Sequence, residues 1–593
     1  MTEASQTRIT DKRMIKRLFS YLKGHTWSFI LSIFMMLFSV GITIILPYLL
    51  GRASKLLGQT GSDFTEILII VILYAVCVVA GAFFQYYQSI ILQKIGQDII
   101  FKIRQEVFSH IQSFSNDQFN KVPVGKLVTR VTNDTNTLSE MYTSVIVNLL
   151  KNIFTIIGVF VAMLILNARL TLLVLILSPL LVVISFIFRK FSRGAYREVR
   201  NNLTNVNAFL SENISGMKVT QVFNQEGKKR KEFRERNNAL KKSSLKEIFI
   251  FGVFRPSIYV LYLLTTALVL WFGARTAIGE ISFIPKVGYD LIITFTQYID
   301  MLYNPLQQLA EQFNILQSAF ASAEKIFAVL DTKPEIEDEE DAIELEDLNG
   351  EIEFKNVWFS YLPDEWILKD VSFKIKPKET VAFVGATGSG KTTILSLIVR
   401  NYDIQKGQIL IDGINIRDLK RASLRKRIGQ MPQDVFLFSG TILSNIQMRE
   451  DDIRFEDVKQ AAEYVNADKF IEKMPNDYHE EVRERGNNFS SGQRQLISFA
   501  RTVAHKPKVM MLDEATANID TETETLIQDS LKKMMNIGTM VIVAHRLSTI
   551  QHADKIIVLS KGEIVEEGNH QELLKQRGHY YKLYQLQMQD RIK

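Results

Sequence analysis

Cysteine is all but missing from the 593 residues, and the single one, Cys77, lies within the apolar run Ile67–Ala80. One thiol can make neither an internal disulfide nor a cysteine zinc site, which excludes the disulfide-stapled secreted class and agrees with a reducing compartment on the catalytic side. No cleavable leader is expected, because the first apolar run, Trp27–Leu50, follows a basic segment and exceeds the ~7–15 residues of a leader core. Nor is there a basic face suited to nucleic acid. The formal charge is +7, but Lys and Arg concentrate between apolar runs, where the preference of cytoplasmic loops for positive charge accounts for them. The expected partner is a lipid bilayer, and no nucleic acid is expected.

Hydrophobic length is abundant in the first half. Apolar runs at Trp27–Leu50, Glu66–Leu92, Tyr142–Leu166, Leu170–Phe191, Ile248–Ala274 and Lys286–Leu309 each reach the ~20 residues needed to span a bilayer. The sixth carries Asp290, Thr294, Thr296, Gln297 and Asp300, too many polar groups to face lipid all round, so it is expected to line an interior. Asp300 there is a candidate contact for cationic amphiphiles, or else a packing partner for a tyrosine or asparagine. Ahead of the spans, Arg8–Lys23 alternates basic and apolar residues in the manner of an interface helix. Spans three and four are joined only by Asn167–Arg169, whereas Gln93–Met141 and Ser192–Glu247 are long and charged. The second holds Lys228–Lys231, Arg234 and Arg236, which places it, both termini and everything after the spans in the cytoplasm. Each long connection contains a break in helical sequence, Pro123-x-Gly125 in one and Gly216 in the other.

Beyond an acidic linker the composition becomes that of a soluble α/β domain, with short strand patterns alternating with helical runs and implying a sheet with a parallel core. Residues 1–26 are thus expected to form an interface helix, 27–330 a six-helix membrane domain, 331–348 a linker and 349–593 a nucleotide-binding domain. Within the last, four buried-strand residues run into Gly385-Ala-Thr387-Gly388-Ser389-Gly390-Lys391-Thr392-Thr393, the phosphate-loop pattern. Backbone N–H groups cradle phosphate there, Lys391 reaches the outer phosphates, and Thr392 offers a hydroxyl to Mg²⁺. The run Val509–Leu512 ends on Asp513 and Glu514, a second acidic position at a strand end: Asp513 for the metal shell, Glu514 to orient or deprotonate water.

The order of these motifs resembles an ABC transporter half, an all-α six-helix transmembrane domain fused ahead of an α/β P-loop ATPase domain with a helical subdomain. The matching residues are Gln433 in MPQDVFLFSGTI, Ser490–Gln495, LDEATANID from Leu512 to Asp520, and His545 in VAHRLS. The resemblance implies ATP and Mg²⁺ as cofactors. It makes Tyr361 the adenine-stacking ring, Gln433 a metal contact that senses the membrane domain, His545 a γ-phosphate contact, and Glu514, His545 and Lys391 the catalytic group. It also implies coupling helices near Ser115–Lys121 and Ser211–Met217, and a signature, Ser490, Gly492 and Gln493, that closes over ATP held by a second ABC half. Two departures stand out. The signature reads Phe489-Ser490-Ser491-Gly492-Gln493 where Leu-Ser-Gly-Gly-Gln is usual, and Ala517-Asn518-Ile519-Asp520 replaces Ser-Ala-Leu-Asp. A Cβ and hydroxyl at 491 should hinder approach of backbone to the partner's ATP. With Glu514 kept, the combination resembles the catalytic-glutamate subunit of a heterodimeric bacterial multidrug exporter. A homodimeric exporter and a lipid or glycolipid flippase share every motif named. The usual cysteine leader peptidase of a peptide exporter is excluded, since Cys77 lies inside an expected span.

Overall fold

The protein is described from a computed structural model, which covers residues 12–59, 63–278, 287–448, 452–513, 521–543 and 550–592. The expectations for Arg8–Asp11, Lys286, Glu514, Ala517–Asp520, Ala544 and His545 lie outside those residues. The chain divides into two compact units, Met1–Gln112 with Val124–Thr332, and Ser113–Pro123 with Lys333–Lys593.

The first unit is helical. A short helix, α1 (Lys12–Ser20), precedes α2 (Thr26–Leu57) and α3 (Phe64–Gln112). Leu18 and Leu22 are buried while Arg17 turns outward to pair with Asp331 at 2.6 Å. The hairpin α4 (Asn116–Lys121) belongs to the second unit, and the chain returns through α5 (Val124–Thr129) and α6 (Thr135–Glu140) to α7 (Ile146–Ser215). Two of the apolar runs lie in α7, which breaks at Asn167 (φ −162°, ψ 100°). The Asn167 side chain accepts from the N–H groups of Arg169 and Leu170, both at 3.1 Å, and so caps the second arm. After Gly216 come α8 (Met217–Val222), α9 (Glu226–Ile278) and α10 (Tyr289–Leu330). The short helix of the second long connection therefore follows Gly216, whereas Ser211–Ser215 closes α7.

Among the described residues, four helical stretches are long and apolar enough to cross a membrane, one of them containing both arms of α7. The helix α10 is not among them; its Thr294 and Tyr298 are buried, whereas Gln297 and Asp300 are exposed. Tyr298 OH donates to Ile44 O of α2 at 2.8 Å, while Thr294 Oγ1 donates to Asp290 O of its own helix at 2.9 Å and lies 3.3 Å from Pro47 O of α2. Each bond satisfies a polar group that hydrocarbon would leave unsatisfied.

The second unit has two main sheets. One is antiparallel, in the order β2 (Trp366–Ile375), β1 (Ile352–Ser360), β4 (Lys406–Ile411), β5 (Ile414–Asn415). The other has six strands, in the order β12 (Glu563–Gly568), β11 (Lys555–Ser560), β3 (Thr380–Gly385), β10 (Thr539–Val543), β9 (Val509–Asp513), β6 (Ile428–Met431), parallel except for β12. A two-stranded ribbon, β7 (Gly440–Thr441) with β8 (Glu481–Val482), sits beside the helical part. Side chains alternate across β3. Val381 and Phe383 enter the core shared with the antiparallel sheet, and Ala382 and Val384 enter the core shared with the helices. Burial on both faces is why this strand reads as an unbroken apolar run. The helices include α11 (Lys391–Ile398), α12 (Arg421–Arg427), α13 (Ile442–Gln447), α14 (Phe455–Tyr464), α15 (Asp468–Ile471) and α16 (Ser491–Ala504).

The segment Ser113–Pro123, which lies inside the 27–330 stretch assigned by sequence to the membrane domain, clusters with this second unit. Ser115 and Gln118 form a capping box at the start of α4. Gln118 Nε2 donates to Lys333 O at 2.9 Å, Ser115 Oγ to Glu335 at 3.1 Å, and Asn120 Nδ2 to the Tyr402 hydroxyl at 3.1 Å.

Candidate functional site

The carboxyl ends of β3, β10 and β9 lie side by side, since Val543 is level with Phe383 on one flank and with Asp513 on the other. Ligands of parallel sheets bind just outside such ends. The chain leaves β3 through Gly385 and turns into α11 at Gly390, whose φ of 103° is left-handed. A Cβ at Gly390 would lie 2.6 Å from the Leu368 side chain, and one at Gly385 would collide with the Leu559 carbonyl. Both positions therefore require glycine on sterics as well as on dihedral angle.

Lys391, only 5% exposed, directs its ammonium into the loop, where Nζ donates to Gly385 O at 2.8 Å and Ala386 O at 3.0 Å. Burial pushes its pKa below the usual lysine value, opposed by the Asp513 carboxylate. Ser389, 4% exposed, keeps a buried hydroxyl with no hydrogen-bond partner. An orphaned buried donor beside a buried ammonium, in a loop curling onto a helix N-terminus, fits a phosphate group. Thr392 Oγ1 lies 3.5 Å from Asp513 Oδ1. These hard oxygens suit Mg²⁺, which takes one or two carboxylates and completes its shell with phosphate oxygens and water. Among the described residues no cluster of three or more His, Cys, Asp or Glu could hold a metal without such help.

Tyr361 follows β1 directly. Its ring is 41% exposed and its hydroxyl is 3.1 Å from Thr393 Oγ1, which ties it to the helix that carries Lys391. Gln433 lies exposed in the loop after β6, the edge strand that pairs in parallel with β9. The structure thus gathers Gly385, Gly388, Ser389, Gly390, Lys391, Thr392, Thr393, Asp513 and Tyr361 around one loop, with Thr387 in its exposed tip. Ser490, Gly492 and Gln493 stand elsewhere, at the N-terminus of α16. There Ser490 Oγ accepts from Gln493 N at 3.2 Å while the Gln493 side chain accepts from Ser490 N at 2.9 Å. Ser490 and Gln493 thus hold the helix end, with half-buried Ser491 between them in the first turn. Glu514 and His545 follow the ends of β9 and β10 in sequence, outside the described residues.

Asp300 is exposed on α10 and accepts from Asn304 Nδ2 at 3.0 Å, one turn along the same helix. Sequence reasoning missed Tyr402. Its ring packs edge-on against Tyr361 at 5.1 Å between centroids, and its hydroxyl accepts from Asn120 of α4. No local pattern marks it, because 282 residues separate the two hydrogen-bonded partners.

A family model for the ABC transporter transmembrane region matches residues 29–306, and one for the ABC transporter domain matches residues 368–517. The chain is an ABC transporter. The transporter is 38% identical over 527 residues, 88% of its own chain and 76% of the relative, to a Bacillus subtilis protein named "Probable multidrug resistance ABC transporter ATP-binding/permease protein YheH". It is 33% identical over 578 residues, 97% of its chain and 95% of the relative, to the ATP-dependent lipid A-core flippase of Syntrophus aciditrophicus. A solved bacterial Atm1-family ABC exporter with ATP bound superimposes with a TM-score of 0.78 at 26% identity, covering 94% of this chain and 97% of that one. The transporter is therefore an ATP-hydrolysing exporter with its helical membrane domain fused ahead of the ATPase domain.

Proposed function

We propose that this ABC transporter exports hydrophobic or amphiphilic drugs across the cytoplasmic membrane by alternating access, with its ATPase domain and both termini in the cytoplasm. It works as one half of a heterodimer whose partner has a degenerate carboxylate and an intact signature. The observation that carries the heterodimer is Ser491 in the first turn of α16 beside a complete phosphate loop in the same chain. Tyr361 stacks on adenine, backbone from Gly385 to Thr393 cradles the phosphates, and Lys391 reaches the outer ones. Thr392, Asp513 and Gln433 would hold one Mg²⁺, which would supply positive charge to the phosphates. Glu514 polarises the attacking water and His545 holds the γ-phosphate. Ser490, Gly492 and Gln493 go to the partner's ATP, which turns over slowly because Ser491 keeps the signature backbone from closing.

The chain purified alone is expected to show weak, non-cooperative ATPase activity that rises when the second half is co-purified. Robust cooperative hydrolysis with no second polypeptide would sink the heterodimer. The lipid A-core flippase relative supports a second reading of the cargo as lipid or glycolipid, which transport assays on reconstituted protein separate from drug export.

Two further residues have assignable parts. Asp300 faces the transport pathway and attracts the charge of cationic amphiphiles. Asp300→Asn should slow efflux of cationic dyes severalfold and spare neutral compounds, and unchanged dye efflux would remove the assignment. Tyr402 links the adenine-stacking ring to α4, so Tyr402→Phe deletes one partly exposed hydrogen bond worth ~0.5–1.5 kcal/mol. It is expected to leave ATP affinity nearly unchanged and to lower the ratio of cargo-stimulated to basal ATPase by about two- to tenfold. An unaltered ratio would make Tyr402 a packing residue only.

A further inference from the structure

The two arms of α7 and the middle of α10 enclose a cavity of about 210 Å³ within the membrane-spanning unit. Its walls are hydrocarbon, with Met163, Val174 and Leu181 buried in them. Three polar side chains also line it, and each is bonded away from the cavity. Thr171 Oγ1 donates to Asn167 O at 2.9 Å and Ser178 Oγ to Val174 O at 3.2 Å. Thr265 Oγ1 gives its proton to Leu261 O at 2.8 Å, so the Tyr303 hydroxyl, 2.7 Å away, donates to Thr265. Among the described residues no charged one lines the space.

A ligand there meets no counter-charge and no hydroxyl proton that is not already donated, and a water, which needs two to four polar partners, is poorly served. The occupant is uncharged hydrocarbon. Size limits it further. Drug-sized ligands take pockets of ~300–1,000 Å³, whereas a dry apolar cavity of ~150 Å³ accepts a molecule of benzene size. Leu175, which lines the cavity, is 41% exposed and continues the exposed apolar strip of Leu172 and Ile176. The mouth therefore opens on an exposed apolar strip of a helix long enough to span the bilayer, where lipid chains can reach it. From Thr171, four residues past the Asn167 break, to Leu181 the helix rises about 15 Å, half of a ~30 Å hydrocarbon core.

We propose that this cavity holds the end of one acyl chain of a bilayer lipid, from the leaflet on the Asn167 side, as a resident part of the membrane domain and not as cargo. It depends on neither the drug cargo nor the heterodimer. The full chain, reconstituted in phosphatidylcholine vesicles with a trace of phosphatidylcholine bearing a diazirine at the acyl terminus, is photolysed without ATP and its peptides are mapped by mass spectrometry. Labelling at buried Met163 is expected to exceed that at lipid-facing Leu172 severalfold in the unmutated chain, a comparison that needs no variant to fold. Ser178→Phe, which fills the space, should erase that excess while labelling at Leu172 and basal ATPase persist. Two results would overturn the proposal. They are equal labelling at Met163 and Leu172, and an excess unaltered by Ser178→Phe in a protein that still hydrolyses ATP. A chain that exported no drug but kept the labelling pattern would refute the cargo reading alone.

Discussion

Glu514→Gln is expected to lower ATP hydrolysis by about a hundredfold or more, the scale of a lost general base, while ATP still binds. The amide keeps the size of the carboxylate but cannot take a proton from water. Asp513, its neighbour, stays at the end of β9 beside Thr392, so the oxygen pair suited to magnesium is untouched. The variant should retain ATP through gel filtration and release phosphate slowly, holding the transporter in its ATP-closed form. Phosphate release near the unmutated rate would take the catalytic role away from Glu514.

Lys391→Ala should be nearly as severe and should differ in kind. The ammonium is buried, desolvated enough to lower its pKa, and aimed into the loop by two carbonyls. A charge placed where negative charge develops is worth about a hundred- to a thousandfold in rate. Its loss should also weaken ATP affinity, which Glu514→Gln spares. Lys391→Arg is not a conservative rescue, because a planar fork cannot replace a compact ammonium between Gly385 O and Ala386 O. A binding titration with ATP beside the hydrolysis assay separates the two variants. An alanine variant that binds ATP normally and loses less than about tenfold in rate would contradict the assigned contact.

What could be read from the sequence was local or periodic. The phosphate loop is contiguous, its glycines are dictated by left-handed or crowded backbone, and β3 announces itself because both faces are buried. The apolar runs declare the spans for the same reason of length. The polar α10 was legible as partly inward-facing, and Thr294 is indeed buried, although that Tyr298 would bond Ile44 O was not legible. Long-range pairing was invisible. Tyr402 carries no motif and acquires its neighbours only when α4 and Tyr361 are brought to it. The signature side chains were assigned to a distant ligand, while in the folded chain Ser490 and Gln493 first bond each other, a capping box that any helix start could use. The full length of β1 is hidden in the sequence, because bulges interrupt its alternation between Phe354 and Val357.

The hairpin α4 has a consequence for synthesis. It leaves the ribosome 282 residues before Tyr402, the residue its Asn120 bonds. At ~5–20 residues per second that is roughly 15–55 s during which a finished piece of the ATPase unit waits without the rest of it. The apolar runs that follow α4 must be inserted in that interval with α4 held free on one side of the bilayer. The ATPase domain of this chain is thus never completed from its own contiguous stretch, and its last docking step closes a loop that has the membrane insertion of four apolar runs inside it.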